Sequence, residues 1–301
     1  MAKNFDDLLA RVKSGRVKKV AVAVAQDEPV LEAVKAAQEQ GIAEAILVGD
    51  QEAIKEIARK IGMDLSKYEL IHEPNDGKAA LKAVELTSKG EADMVMKGLV
   101  DTASFLRAVL NKEVGLRTGK LISHVAVFEI KGIDRLIFLT DAAFNMYPDL
   151  KAKVDMINNA VKVAHAVGVE LPKVAPVCAV EVVNPDMPAT VDASLLSKMN
   201  DRGQIKGCIV DGPLALDNAL SEEAAKHKNI GGPVAGKADI LLLPNIEAAN
   251  IMYKTLTYTS ESRNGGILVG AAAPVILTSR ADSFETKTYS IALAALAAEN
   301  K

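Results

Sequence analysis

Short runs of aliphatic and β-branched residues alternate with helical patterns along nearly the whole chain. That alternation limits the fold more than any other feature of the sequence. VKKVAVAVA (17–25) precedes a helical stretch over 28–40, and EAILVGD (44–50) precedes one over 50–61. YELIHE (68–73) leads to a helix near 76–90, and ADMVMKG (92–98) to one near 101–112. A strand–helix rhythm of this kind predicts an α/β protein with a mostly parallel sheet covered by helices on both faces. Gly41, Gly62 and Gly90 stand where the helix C-caps are expected.

The rhythm breaks once. LISHVAVFEI (121–130) and RLIFLTD (135–141), joined by KGID, predict a hairpin of two long strands, and this is the place for a change of domain. Helices are then expected near 149–168, 188–201, 217–227 and 246–259, with strands at 172–180, 206–212 and 238–245 between them. The chain closes on strands at 266–271 and 274–279 and a helix over 283–299. No low-complexity linker or tandem repeat interrupts it.

A length of 301 residues suits one large or two medium domains, and 49% hydrophobic with 25% charged residues is an ordinary globular balance. A net charge of −3 argues against a nucleic-acid surface but is compatible with a local anion site. The N-terminal stretch MAKNFDDLLARVKSGRVKK mixes charge and apolar residues at helical spacing, without the apolar core of a signal peptide. No apolar run reaches the roughly 18 residues of a membrane span. Cys178 and Cys208 sit in apolar strand-like runs and are expected as buried thiols in a reducing cytoplasm.

Ligands of α/β sheets bind beyond the carboxyl ends of the strands. Five predicted strands end in polar residues: Lys97-Gly98, Thr140-Asp141, Asp211-Gly212, Asn245 and Thr278-Ser279-Arg280. Helix capping accounts for part of the last turn, with Asp282 or Ser283 as N-cap and Glu285 completing a capping box. It leaves Thr278, Ser279 and Arg280 unexplained. Arg107 in DTASFLRAVLNKE, and Arg117 and Lys120 in GLRTGK, are further anion-binding candidates. Backbone N–H groups at a helix start, a hydroxyl and guanidinium forks suit phosphate geometry.

Other chemistries find less support. GGPVAGKA (231–238) departs from the phosphate-loop pattern at Ala238 and leads into a strand, not out of one, so it reads as a connecting loop. No G-x-G-x-x-G follows the first strand, and no G-x-S-x-G elbow occurs. His72, His124, His165 and His227 are scattered, so no metal site is expected. His124 alternates with apolar residues and reads as a core or cleft histidine.

VDTASFLRAVLNKEVGLRTGKLISHVAVFE (100–129), LTDAAFNMYPDLKAKVDMINNAV (139–161), DGPLALDNALSEEAAK (211–226) and ILTSRADS (276–283) carry a family pattern. Over essentially the whole chain the sequence resembles the phosphate acyltransferases, and within them the butyryltransferase branch. The resemblance implies reversible transfer of a short-chain acyl group, butyryl preferred, between coenzyme A and inorganic phosphate. Both are substrates, with no permanently bound cofactor. It implies two α/β/α domains similar to the isocitrate and isopropylmalate dehydrogenase fold, with the site in the interdomain cleft. Residues 1–119 with 267–301 would form domain I and 120–266 domain II. A homodimer or larger homo-oligomer acting on small molecules is also implied, and the charge balance and the lack of a long apolar run lead to the expectation of no nucleic-acid or membrane partner.

Carried over by position, the catalytic Ser-Arg pair falls on Ser279 and Arg280, and a phosphate-contacting arginine on Arg107. Thr278 and Arg117 are the further substrate-binding candidates. Acetyl-transferring relatives have an aspartate, proposed as the base, seven residues after the serine, where this chain has Thr286. The base must then be another residue, Asp282 or alternatively Glu285, or the thiol is activated differently. A phosphate acetyltransferase, a metal-dependent dehydrogenase-like enzyme of the same architecture and a non-catalytic binding protein are the competing readings.

Overall fold

The computed structural model describes residues 2–279 and 281–299. They fall into two compact units, one formed by residues 5–120 with 265–299 and the other by 121–264 with 2–4.

In the first unit, α1 (Phe5–Lys13) is followed by four strand–helix pairs: β1 (Lys18–Ala23) and α2 (Glu28–Glu39), β2 (Ala43–Gly49) and α3 (Gln51–Lys60), β3 (Glu69–His72) and α4 (Asp76–Ser88), β4 (Met94–Lys97) and α5 (Thr102–Val109). The same local device starts each of these helices. The side chains of Asp27, Asp50, Asn75 and Asp101 accept hydrogen bonds from backbone N–H groups of the first turn, which have no partner within the helix. Gly41, Gly62 and Gly90 follow the C-caps with φ of 70°, 62° and 79°. A short 3₁₀ turn at Leu65–Lys67, absent from the sequence-based expectation, precedes β3.

The strand order is β3-β2-β1-β4-β11, all parallel, where β11 is Val275–Ile276 from the far end of the chain. The last helix, α11 (Phe284–Glu299), packs on α2 and α1, and Phe5 stacks on Tyr289 at 4.3 Å between ring centroids.

In the second unit, β5 (Ser123–Ile130) and β6 (Ile137–Thr140) form the expected antiparallel hairpin, with Ala126 opposite Leu139. The chain continues through α6 (Leu150–Ala166), β7 (Lys173–Pro176), α7 (Pro188–Asp201), β8 (Ile209–Val210), α8 (Leu216–Leu220), α9 (Glu222–His227), β9 (Ile240–Leu242) and α10 (Ile246–Thr259). The strand order is β5-β6-β9-β7-β8, parallel from β6 onward. Tyr253 of α10 meets Phe128 edge to face at 5.3 Å over an aliphatic core that includes Ile137, Leu139 and Leu241.

Two expectations need correcting. The helix read over 217–227 is two helices, because Ser221 takes an extended conformation and caps α9 by accepting from the Ala224 N–H. The strand read over 266–271 is β10 (Ser262–Val269), which begins earlier and pairs antiparallel with β11. Its polar first half is paired rather than looped out: Arg263 donates to both carboxylate oxygens of Glu129, and Asn264 Nδ2 donates to Thr257 Oγ1 at 3.0 Å.

Candidate active site

β4 and β11 are parallel neighbours, with Val95 opposite Val275 and Met96 opposite Ile276, so their carboxyl ends emerge side by side. Thr278 and Ser279 from one and Lys97 from the other line an open cleft of about 360 Å³ together with Val100, Asp101 and Thr102 at the start of α5. Residues 181 positions apart in the chain thereby share one wall. Thr278 and Lys97 are buried, whereas Ser279 is exposed at the rim.

The turn after β11 is held by its own hydrogen bonds. Asp282 Oδ2 accepts from the Ser279 N–H at 2.7 Å, and the Asp282 N–H donates back to the Ser279 carbonyl at 3.2 Å. Ser279 Oγ accepts from the Ala281 N–H at 3.3 Å, which leaves its O–H available to donate into the cleft. Ser283, not Asp282, caps α11, accepting from the Thr286 N–H at 3.2 Å. Glu285 is one position short of the place where a capping box would put it. Arg280 lies outside the described residues.

Sequence reasoning missed the residue beneath this turn. Lys287, only 2% exposed, donates from Nζ to the Ser279 carbonyl at 3.0 Å and to the Asp282 carbonyl at 2.6 Å. Burial pushes its ammonium below the usual lysine range, against the opposing pull of the Asp282 and Asp27 charges. A lysine in an otherwise apolar helix, near the start of TKTYSIALAALAA, is the one sequence signal that marked it.

The arginines are placed less centrally. Arg107 is exposed on α5 and donates to Ser104 Oγ at 2.6 Å, one turn beyond the residues that line the cleft. Hydrogen bonds from Ser104 hold the Asp101 carboxyl below the usual carboxylate range, and the Arg107 charge adds to this. Arg117 is exposed and lies outside the cleft lining. It sits on a segment pinned by the Leu116 carbonyl, which accepts from the Ala272 N–H, and by Thr118 Oγ1, which donates to the Gly270 carbonyl.

The polar strand ends of the second unit are engaged structurally. Asp141 accepts from the N–H groups of His124, Ala143 and Phe144 and from the Asn145 amide, and Asn245 caps α10. Asp211 is half-buried, which raises its carboxyl pKa. His124 is buried on β5, edge-on to Tyr253. The glycine-rich stretch 231–238 connects α9 to β9 as an irregular loop. Cys178 and Cys208 are buried free thiols, both pushed up to about 11 by burial. Among the described residues no group of three or more His, Cys, Asp or Glu side chains is placed to hold a metal, and no helix is long and apolar enough to cross a membrane.

A buried cation, a helix N-terminus and a rim hydroxyl at adjoining strand ends give this α/β protein a cleft whose described wall is chemically suited to an anionic group. Comparison with known proteins gives this class a family. The model described as "Phosphate acetyl/butaryl transferase" matches residues 4–80 and 69–295. The chain is 71% identical over its whole length, and over the whole length of the relative, to the phosphate butyryltransferase of Clostridium acetobutylicum. The crystal structure of a branched-chain phosphotransacylase from Enterococcus faecalis V583 superposes with a TM-score of 0.83 at 32% identity, covering 94% of this chain and 99% of that one. A structure described as that of a 4-hydroxythreonine-4-phosphate dehydrogenase from Salmonella typhimurium, 15% identical over 94% of this chain and 100% of that one, shares the fold at a TM-score of 0.57. The chain belongs to the phosphate acetyl/butaryl transferase family.

Proposed function

We propose that this chain catalyses reversible transfer of a short-chain acyl group, butyryl by preference, between coenzyme A and inorganic phosphate. The observation that carries the reading is Ser279, exposed at a braced turn beside Lys97 and the α5 N-terminus, in a chain 71% identical end to end to a phosphate butyryltransferase.

In the direction that consumes acyl phosphate, the coenzyme A thiol loses its proton and its sulfur attacks the acyl carbonyl carbon. The C–S bond forms, the C–O bond to phosphate breaks, and phosphate leaves with the bonding pair. A free thiol has a pKa of about 8.5, so a base or a nearby cation must raise the thiolate fraction near pH 7. Asp282 is the base in this reading, with Glu285 the alternative. Ser279 donates to the oxyanion of the tetrahedral intermediate. Arg280, Arg107, Thr278 and Arg117 bind the phosphate and the substrate in this reading; the roles of Arg280 and Arg107 come from the family resemblance, and Thr278 lines the cleft. Holding both substrates in one site supplies much of the acceleration through orientation. The chain is read as two domains, I (1–119 with 267–301) and II (120–266), in a cytoplasmic homodimer or larger homo-oligomer.

The test is release of coenzyme A, followed with a thiol reagent, from acyl-CoA of two to five carbons in the presence of phosphate. Butyryl-CoA should have a higher kcat/KM than acetyl-CoA, since one methylene in an apolar pocket is worth about 1–3 kcal/mol and these substrates differ by two. Equal or better use of acetyl-CoA would move the chain to the acetyltransferase side of its family, and binding without turnover would make it a non-catalytic relative.

Because no cluster of metal-ligating side chains forms among the described residues, activity is expected to survive exhaustive treatment with EDTA. Full loss that Mg²⁺ or Mn²⁺ restores would favour the dehydrogenase-like chemistry of the wider fold.

A further inference from the structure

We propose that Lys97 is a phosphate-binding residue of the cleft, its ammonium holding inorganic phosphate or the phosphoryl end of the acyl phosphate; this assignment rests on the acyl-transfer reading above. Three observations carry it. Lys97 is only 5% exposed, yet it lines an open cleft together with Thr278 and Ser279. The cost of taking this ammonium out of water is offset by hydrogen bonds such as the one it donates to the Gly98 carbonyl, and its place in the lining puts it within reach of an anion in the cleft.

The second observation is the charge of the wall. Among the described residues that line the cleft, Lys97 is the one cation and Asp101 the one anion. Asp101 is committed to the Ser104 N–H at 2.8 Å, and Arg107 reaches Ser104 instead of the lining. A phosphate entering beside Ser279 meets an α5 N-terminus that attracts it and a carboxylate that repels it. Lys97 supplies the compensating charge, and lysine serves phosphate as a compact point charge.

The third is the rigidity of the lysine's base. β1 and β4 run parallel with Ala23 opposite Lys97, and beyond that pair the Gly98 and Leu99 N–H groups donate to the Ala23 and Val24 carbonyls, both at 2.8 Å. The approach is so close that a Cβ on Gly98 would lie 2.2 Å from the Val24 carbonyl oxygen, so only glycine fits. Val24, β-branched and fully buried, takes a φ of 57°, a conformation that persists only where its surroundings impose it. The backbone that carries Lys97 is thereby clamped, with Nζ turned to the Gly98 carbonyl at 3.2 Å. A preorganised cation of this kind needs little rearrangement to receive an anion.

The decisive variants are Lys97→Met, which keeps the length and removes the charge, and Lys97→Arg, which keeps the charge. Lys97→Met should raise the KM for inorganic phosphate by about 10- to 100-fold, the loss expected for a hydrogen bond between charged groups. The KM for butyryl-CoA should move less than about threefold, and Lys97→Arg should recover most of the phosphate affinity. A purely structural lysine predicts parallel changes in both KM values or a lowered thermal midpoint with an unchanged phosphate KM, and either result overturns the assignment. Should Lys97→Met fail to fold, a wild-type crystal soaked in inorganic phosphate decides: a phosphate oxygen within about 3 Å of Lys97 Nζ supports the assignment, and phosphate held elsewhere overturns it. If the wild-type enzyme shows no turnover of acyl-CoA with phosphate, the acyl-transfer reading fails, while the soaked crystal still reports on the phosphate site by itself.

Discussion

Ser279→Ala is expected to lower turnover by about 10²–10³ while leaving the thermal midpoint near that of wild type. The first half follows if the hydroxyl donates to charge that develops on the attacked carbonyl, since removing one such donor has about that effect. The second half follows from its surroundings. Ser279 is exposed, and its Oγ makes one long contact within the turn, 3.3 Å from the Ala281 nitrogen. Asp282→Ala should behave differently, because the 2.7 Å bond from the Ser279 N–H closes the turn. Its loss should cost about 1 kcal/mol of stability together with turnover. Ser283→Ala removes the cap of α11 and should cost about 0.5–2 kcal/mol without a comparable change in turnover. Kinetics and melting of the three variants separate a donor to the attacked carbonyl, a carboxylate that closes the turn and is the proposed base, and a cap. Normal turnover in Ser279→Ala would remove the proposed site.

Lys287→Met should be the most damaging change at a residue that does not line the cleft, with turnover reduced by about 10- to 100-fold and a lower thermal midpoint. The ammonium bonds the carbonyls of Ser279 and Asp282 from below, and its removal takes a charged donor from each, with the Ser279 carbonyl keeping the Asp282 N–H. Hydrogen bonds to charged groups are worth about 1.5–3 kcal/mol each. Relaxation of the turn then displaces the Ser279 hydroxyl, and a displacement of about 1 Å can cost 10²-fold in rate.

The same lysine predicts a pH dependence. Burial lowers its pKa below the usual 10.5, so between that lowered value and 10.5 the unfolded chain binds more protons than the folded one. Stability of wild type relative to Lys287→Met should therefore rise with pH through that window. Turnover should fall over the same range, as the neutral amine loses the charge-assisted part of its hold on the turn. A wild-type alkaline limb that survives unchanged in Lys287→Met would sink this account, as would normal turnover in the variant.

The α/β class and the order of most elements were legible because they rest on local chemistry. Hydrophobic period distinguishes strand from helix, and Asp or Asn after a strand starts the next helix, as at Asp27, Asp50, Asn75, Asp101 and Asn245. Expectations strayed where a distant partner overrides local pattern. Residues 262–264 precede the strand read over 266–271, yet Arg263 belongs to β10, with Glu129, 134 residues away, accepting from its guanidinium.

The site divides in the same way. Ser279 was visible from the chain alone as a hydroxyl at a strand end that capping did not explain, and the family pattern gave it a role. That Lys97 and α5 stand beside it is decided by β11 inserting next to β4, a pairing between residues about 180 apart that no local periodicity encodes. Lys287 needed the folded chain for the same reason. Its place ahead of an apolar helical run marks it in the sequence, but its burial and the two turn carbonyls that its ammonium bonds are decided by the packing of α11 in the folded unit. Sequence determines which residues bear the chemistry and where elements start and stop, because those depend on neighbours within a helical turn or a strand. Tertiary structure decides which charges share a wall and which are taken out of water, because strand pairing and helix packing join segments that the chain itself keeps far apart.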